Sequence, residues 1–163
     1  MTIPADGQLI TTRGEFHAAL RNAFAEAAAV GCRELWLSDT DFADWPLGER
    51  AVVGHLAEWA QSQRRLVLLA ENFDEVARRH PRWVEWRRQW SHIVQCRAST
   101  EAEPNQIPTL LLAGGVLSVH LSDRVRFRGR ASRDPADGLR CHERIDAILQ
   151  RSVAAFPATT TGL

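Results

Sequence analysis

The first half of the chain alternates between helical periodicity and short apolar runs. In "TTRGEFHAALRNAFAEAAAVG", Thr12 and Glu15 stand in capping-box spacing, apolar residues then recur every four positions, and Gly31 ends the segment. The runs "ELWLSD", "RRLVLLAEN" and "HIVQCRA" are typical of buried strands, and helical segments separate them. This alternation predicts parallel strands joined by right-handed crossovers.

The second half predicts hairpins followed by one more helix. The segment "TLLLAGGVLSVHLSDRVRFRGR" indicates three strands, with turns at Gly114-Gly115 and Ser122-Asp123. Asp134 and Pro135 then have the N-cap and first-turn positions of a final helix. The predicted fold is therefore a single α/β domain over residues 1–156, with a mixed β-sheet flanked by helices and a frayed tail at 157–163.

Residues 79–90, "RHPRWVEWRRQW", combine tryptophans with arginines. Pro81 fits the first turn of a helix, on which Trp83, Trp86 and Trp90 fall within an arc of roughly 60°. The alternative to a packing seam is an exposed platform on which bases stack while arginines contact phosphates. Because the helix lies between two buried strands, we expect the indoles to be buried.

Composition limits the classes of function. Hydrophobic residues make up 45% and charged residues 25% of the chain, as in ordinary globular proteins. All 20 basic residues are arginines and they balance 20 acidic ones, so any affinity for polyanions must come from a local patch. Cys32, Cys96 and Cys141 lack C-x-x-C spacing, which predicts reduced thiols and no cysteine zinc site. No leader or membrane span is visible, so we expect a cytoplasmic protein without membrane contact.

The segment "RVRFRGR" carries the clearest basic pattern. Arg124, Arg126, Arg128 and Arg130 would share one face of a strand, where they could follow a phosphate backbone. The alternative is an edge strand that its charges protect from aggregation. The nearby carboxylates that could pair with the arginines are Glu101, Glu103 and Asp134.

Acidic residues follow the first predicted strand in "WLSDTDFADW". Asp39, Asp41 and Asp44 lie where open α/β sheets bind ligands, so a magnesium or phosphoryl site is conceivable. The D-x-D spacing resembles that of haloacid-dehalogenase-like phosphatases, but Ala43 stands where those enzymes carry Thr or Val, and the chain has no lysine. We therefore favour carboxylates that cap the next helix.

Three segments within residues 34–137 carry a family resemblance: "ELWLSDTDF", "RRLVLLAENFDEVARRHPRWVEWRRQW" and "LLLAGGVLSVHLSDRVRFRGRASRDPAD". Together with the element order, they resemble one half of the phospholipase-D-like fold, and more closely a small uncharacterised bacterial family of that fold, found alone or attached to acetyltransferase domains. Active members need H-x-K-x-x-x-x-D, and here Ile107, Thr109 and Gly114 stand at the His, Lys and Asp positions.

A shift of register does not restore that element. His120 is followed by Ser122 and Phe127 where the lysine and the aspartate would be. The resemblance therefore implies a phospholipase-D-like scaffold without phosphodiester cleavage. Since domains of this fold often pair face to face, it also implies a homodimer.

Two hypotheses of different classes result. The first is a non-catalytic scaffold or binding/adaptor module that needs no cofactor. Its arginine stripe, formed by Arg124, Arg126, Arg128 and Arg130, binds nucleic acid, phosphate or a protein partner. The second is a metal-dependent phosphoryl-transfer or phosphatase-like enzyme that uses Asp39 and Asp41. We favour the first, because no complete catalytic motif is present.

Overall fold

The computed structural model describes residues 7–99 and 106–158. Its five helices are Arg13–Val30 (α1), Arg50–Trp59 (α2), Asp74–Arg79 (α3), Pro81–Gln89 (α4) and Pro135–Leu149 (α5). Its eight strands are Gln8–Ile10 (β1), Glu34–Ser38 (β2), Arg65–Ala70 (β3), Val94–Ser99 (β4), Thr109–Ala113 (β5), Leu117–Asp123 (β6), Arg128–Ser132 (β7) and Ser152–Ala154 (β8). The predicted α/β fold with a mixed sheet is confirmed.

All eight strands form one sheet in the order β1-β7-β6-β5-β2-β3-β4-β8. Strands β2, β3 and β4 are parallel, as the alternation of helices and strands predicts, and the remaining pairs are antiparallel. Strand β5 pairs with β2 and not with β4, which precedes it in sequence. The antiparallel hairpins therefore extend the parallel half of the sheet from the edge of β2.

The helices cover the two faces of the sheet unequally. Helices α1, α2, α3 and α4 pack on one face, around a large apolar core. Helix α5 packs on the other face, where Cys141, Ile145 and Ile148 contact apolar side chains of β2, β3 and β5. Both faces of the central strands are thus buried, which explains their nearly continuous apolar runs.

The ends of the helices follow the local signals. The Thr12 hydroxyl accepts a hydrogen bond from the Glu15 N–H at 3.1 Å, and Gly31 adopts a left-handed conformation after α1. Pro81 begins α4, and the Asp134 side chain caps α5 by accepting from the Ala136 N–H. These predictions are confirmed.

The tryptophans of α4 form a packing seam. Trp83 is fully buried and Trp86 is 6% exposed, while Trp90 is half-buried at the margin of the core. Arg87 is also buried: its guanidinium donates to the Phe156 carbonyl and stacks over the Phe156 ring at 5.1 Å. The prediction of buried indoles is confirmed for Trp83 and Trp86.

The cysteines match the prediction of free thiols. All three are buried and none forms a disulfide. Burial raises the pKa of Cys96 to about 12, so its side chain stays a neutral thiol at physiological pH.

Three predictions fall wholly or partly outside the described residues. They concern Glu101, Glu103 and the greater part of the tail at 157–163. Among the helices within the described ranges, none is long and apolar enough to cross a bilayer.

Candidate functional site

The structure divides the arginine stripe. Arg124 and Arg126 lie in the turn between β6 and β7, and only Arg128 and Arg130 lie on a strand. The turn includes Phe127 with a positive φ of 54°, so the chain reverses where the alternating pattern predicts a continuous strand. The prediction that four arginines share one strand face is therefore wrong.

The edge-strand alternative is also wrong for β7. Strand β1 pairs with β7 on its outer side, with Leu9 opposite Arg130. Among the described strands, β1 and not β7 lies at this edge of the sheet. The charges of Arg128 and Arg130 do not protect an open edge, and another explanation of their position is needed.

Arg128 and Arg130 project from the face of the sheet that carries α5. Arg130 pairs in register with His120 of β6, and it lines a pocket with Arg140 and Arg144 of α5. The side chains of Arg128, Arg130, Arg140 and Arg144 are all exposed. We call these four residues the arginine face.

Polar contacts position the arginine face. Asp137 accepts a hydrogen bond from Arg140, and its Oδ2 lies 3.7 Å from Arg130 Nη2. Arg144 Nη1 lies 3.1 Å from His120 Nε2. Burial and the neighbouring Arg144 lower the pKa of His120, so the neutral ring can accept the hydrogen bond that Arg144 donates.

Sequence reasoning missed the contribution of α5. Arg140 and Arg144 are four residues apart, which places both on one side of a helix. That spacing was visible in the sequence. The proximity of these arginines to β7 was not, because it depends on how α5 crosses the sheet.

The acidic residues lie at the carboxyl end of β2, in a separate cleft of about 270 Å³. Asp39 is 6% exposed, and both of its carboxylate oxygens accept hydrogen bonds within the protein. Its Oδ1 accepts from the Thr109 hydroxyl at 2.5 Å, and its Oδ2 accepts from the N–H groups of Phe42 at 2.8 Å and Asp41 at 3.3 Å. These bonds hold Phe42 at a φ of 61°, which is a strained conformation for a bulky residue.

Asp41 and Asp44 have local roles. Asp41 accepts a hydrogen bond from the Ala43 N–H at 3.0 Å, and Asp44 forms an ion pair with Arg13 at 3.5 Å. Helix α2 begins only at Arg50, and its N-cap residue makes no side-chain capping bond. The prediction that these carboxylates cap the following helix is therefore wrong: Asp39 and Asp41 stabilise a turn.

Arg124 faces this acidic cleft and not the arginine face. It lines the cleft together with the three aspartates, and its charge slightly favours the ionised form of Asp39. Within residues 7–99 and 106–158, no three His, Cys, Asp or Glu side chains are grouped so that they could hold a metal ion.

Burial raises the pKa of Asp39, although its hydrogen bonds oppose the shift. The folded protein therefore binds this proton more tightly than the unfolded chain. The resulting contribution to stability is present below the ordinary pKa of 3.8 and is lost as pH rises through the folded value.

In chemical denaturation at several pH values, we expect Asp39→Asn to remove this loss of stability with rising pH, whereas Asp41→Asn retains it. Identical pH dependence in Asp39→Asn and the parent would contradict the assignment.

These observations define a mixed α/β domain with an arginine-rich sheet face. No family model and no curated protein matches the chain. A solved structure that it resembles is that of TrmBL2, an archaeal chromatin protein described as showing a novel mode of DNA binding. The TM-score is 0.64 at 10% sequence identity, over 93% of this chain and 55% of that one. The likeness shows a shared fold, and this chain spans about half the length of that structure.

Proposed function

We propose that this protein is a non-catalytic binding module that contacts the phosphate backbone of nucleic acid through the arginine face. The observation that carries the proposal is that β7 and α5 bring four exposed guanidinium groups to the same side of the sheet. Arginines arranged in this way neutralise phosphates without reading base edges. The expected binding is therefore weak, insensitive to sequence and strongly dependent on salt.

The shared fold gives this proposal independent support. The TrmBL2 structure is described as showing a novel mode of DNA binding, so a scaffold of this shape is compatible with that activity in another protein. The phospholipase-D-like resemblance remains a prediction, because the likeness to TrmBL2 does not bear on it. The homodimer that the resemblance implies is part of the proposal, and the mass of the protein in solution tests it.

The hydrogen bonds of Asp39 argue against the enzymatic alternative. Both carboxylate oxygens already accept hydrogen bonds from Thr109 and from backbone N–H groups. With three hydrogen bonds and 6% exposure, Asp39 presents little open carboxylate surface to a metal ion or a phosphorus atom. We therefore propose no catalytic role for Asp39, Asp41 or Asp44.

Charge reversal tests the proposed surface. We expect Arg128→Glu/Arg140→Glu, two changes within the arginine face, to lower the affinity for single- and double-stranded oligonucleotides about tenfold or more at low salt. Loss of two phosphate contacts should also reduce the slope of log affinity against log salt by about two on duplex DNA. Fluorescence anisotropy over a salt series measures both quantities.

The matched control is Arg33→Glu/Arg50→Glu, which makes the same change in net charge at exposed arginines outside this surface. The control should bind nearly as well as the parent. If both variants lose affinity equally, the binding reflects net charge alone. If the parent binds no oligonucleotide even at low salt, the proposed function is wrong.

A further inference from the structure

A pocket of about 320 Å³ lies between β6, β7 and α5, at one side of the arginine face. The polar residues that line it are Ser118, His120, Arg130, Ser132, Asp137, Arg140 and Arg144, and the apolar ones are Leu110 and Cys141. Guanidinium groups from a strand and a helix therefore share one concave site. Such convergence distinguishes the pocket from a row of separate surface arginines.

The pocket carries an excess of positive charge. Its lining has three arginines and one aspartate, which gives a net charge of about +2 with His120 neutral. The single carboxylate, on Asp137, already accepts from the Ser132 hydroxyl at 2.6 Å and from Arg140. Asp137 Oδ2 also forms an ion pair with Arg130 at 3.7 Å. The one carboxylate of the lining therefore pairs with Arg140 and Arg130 and balances one of the three positive charges.

The donors are also held in place before any ligand arrives. The His120 ring fixes Arg144, and Asp137 fixes Arg140. Ser118 and Ser132 are each 3% exposed and the Ser132 hydroxyl donates to Asp137, so these serines are fixed parts of the lining. Because these groups lose little conformational freedom on binding, the pocket is suited to an anion with several acceptor oxygens.

We propose that this pocket binds a phosphomonoester, with the three peripheral oxygens of the phosphate facing Arg130, Arg140 and Arg144. Such a group carries close to two negative charges at neutral pH, which matches the excess charge of the lining. A carboxylate has one charge and two oxygens, and an internal phosphodiester of nucleic acid also has one charge. Leu110 and Cys141 would contact the uncharged part of the ligand next to the phosphate.

Two sources can supply this group: a small phosphorylated molecule, or the terminal phosphate of a nucleic-acid strand. The second source deepens the proposed function and rests on it, because the arginine face would bind the strand while the pocket holds its end. The first source does not require that the protein binds nucleic acid.

The experiment compares a 5′-phosphorylated oligonucleotide with its 5′-hydroxyl twin of the same sequence, by anisotropy at constant ionic strength. In parallel, inorganic phosphate is titrated as a competitor and as a stabiliser in thermal unfolding, against chloride at equal ionic strength. We expect the phosphorylated strand to bind about tenfold more tightly, and phosphate to raise Tm and abolish the difference.

The variant Arg130→Gln/Arg144→Gln should lose both effects, whereas Arg33→Gln/Arg50→Gln makes the same change in charge at exposed arginines outside the pocket and the arginine face and should retain them. Circular dichroism on each variant checks that the fold is intact. In another outcome, phosphate raises the Tm of the parent and not of the pocket variant while the phosphorylated and unphosphorylated oligonucleotides bind with equal affinity. That result supports a small phosphorylated molecule as the source.

Other outcomes overturn one or both proposals. If the twins bind equally and phosphate neither competes nor stabilises, the pocket proposal is wrong while the proposed function stands. If no oligonucleotide binds but phosphate stabilises the parent and not the pocket variant, the proposed function is wrong and the pocket proposal is supported. If nothing binds, both proposals are wrong.

Discussion

Replacing Trp83 by alanine is expected to lower the free energy of unfolding by about 3–5 kcal/mol, as for other fully buried aromatic side chains. Trp83 is 0% exposed, and its ring lies 6.3 Å from that of Trp86 in the core on the helix-rich face of the sheet. Among the residues that the structure describes, none accepts a hydrogen bond from its indole N–H, so the loss comes from packing and from the cavity left behind. Denaturant unfolding measures the change.

Trp90→Ala is the matched control. This residue is half-buried at the end of α4, so its replacement should cost clearly less. If Trp83→Ala unfolds like the parent, the core assignment is wrong. Exposed indoles that stack on bases would then explain this helix better.

Gly129→Ala is expected to lower the free energy of unfolding by about 3 kcal/mol, because the β6–β7 ladder has no room for a side chain there. A Cβ atom at Gly129 would lie 2.1 Å from the His120 carbonyl oxygen and 2.7 Å from the Leu121 Cα. These neighbours are backbone atoms, so the strands would have to separate. Arg128 and Arg130 would move with β7.

Gly54→Ala is the control, and its effect on the free energy of unfolding should have the opposite sign. Gly54 is exposed within α2, and an added Cβ would meet no atom within 4 Å. Alanine should therefore stabilise the protein there by about 0.5–1 kcal/mol, since it favours the helix. Thermal and denaturant unfolding of the two variants give the comparison. Parental stability in Gly129→Ala would mean that β6 and β7 are not so close in solution.

Elements with a regular period were predictable. The eighteen residues of α1 have a capping signal at Thr12 and a glycine stop, and the runs that become β2 and β3 are apolar throughout. Strands β1 and β8 have three residues each and show no period of their own. They are strands because β7 and β4 offer them backbone partners, and that information is absent from the local sequence.

The arginine stripe shows how a local rule fails. Alternation along residues 124–130 places arginines on one face only if the strand is straight. Here the register shifts between Leu121 and Asp123, and Phe127 turns the backbone. Asp123 accepts from the N–H groups of Val125 and Arg126, which stabilises a turn a few residues beyond the predicted position.

The sequence predicted where Asp39 lies but not what its side chain does. The end of an apolar strand correctly located the carboxylate at the rim of the sheet. Its principal side-chain partner, Thr109, is 70 positions away, so only the folded chain shows that the acid is engaged. The same holds for Arg130 and Arg144, which become neighbours through the packing of α5 on the hairpins.

The position of β5 beside β2 has a consequence for synthesis on the ribosome. When β2 and β3 have left the exit tunnel, the other edge of β2 still exposes its backbone groups, because β5 is made much later. A nascent chain that pauses before Thr109 would present an apolar, unpaired strand to other chains or to a chaperone. Slow translation of residues 71–108 should thus favour aggregation, whereas rapid synthesis of the hairpins should protect the growing polypeptide.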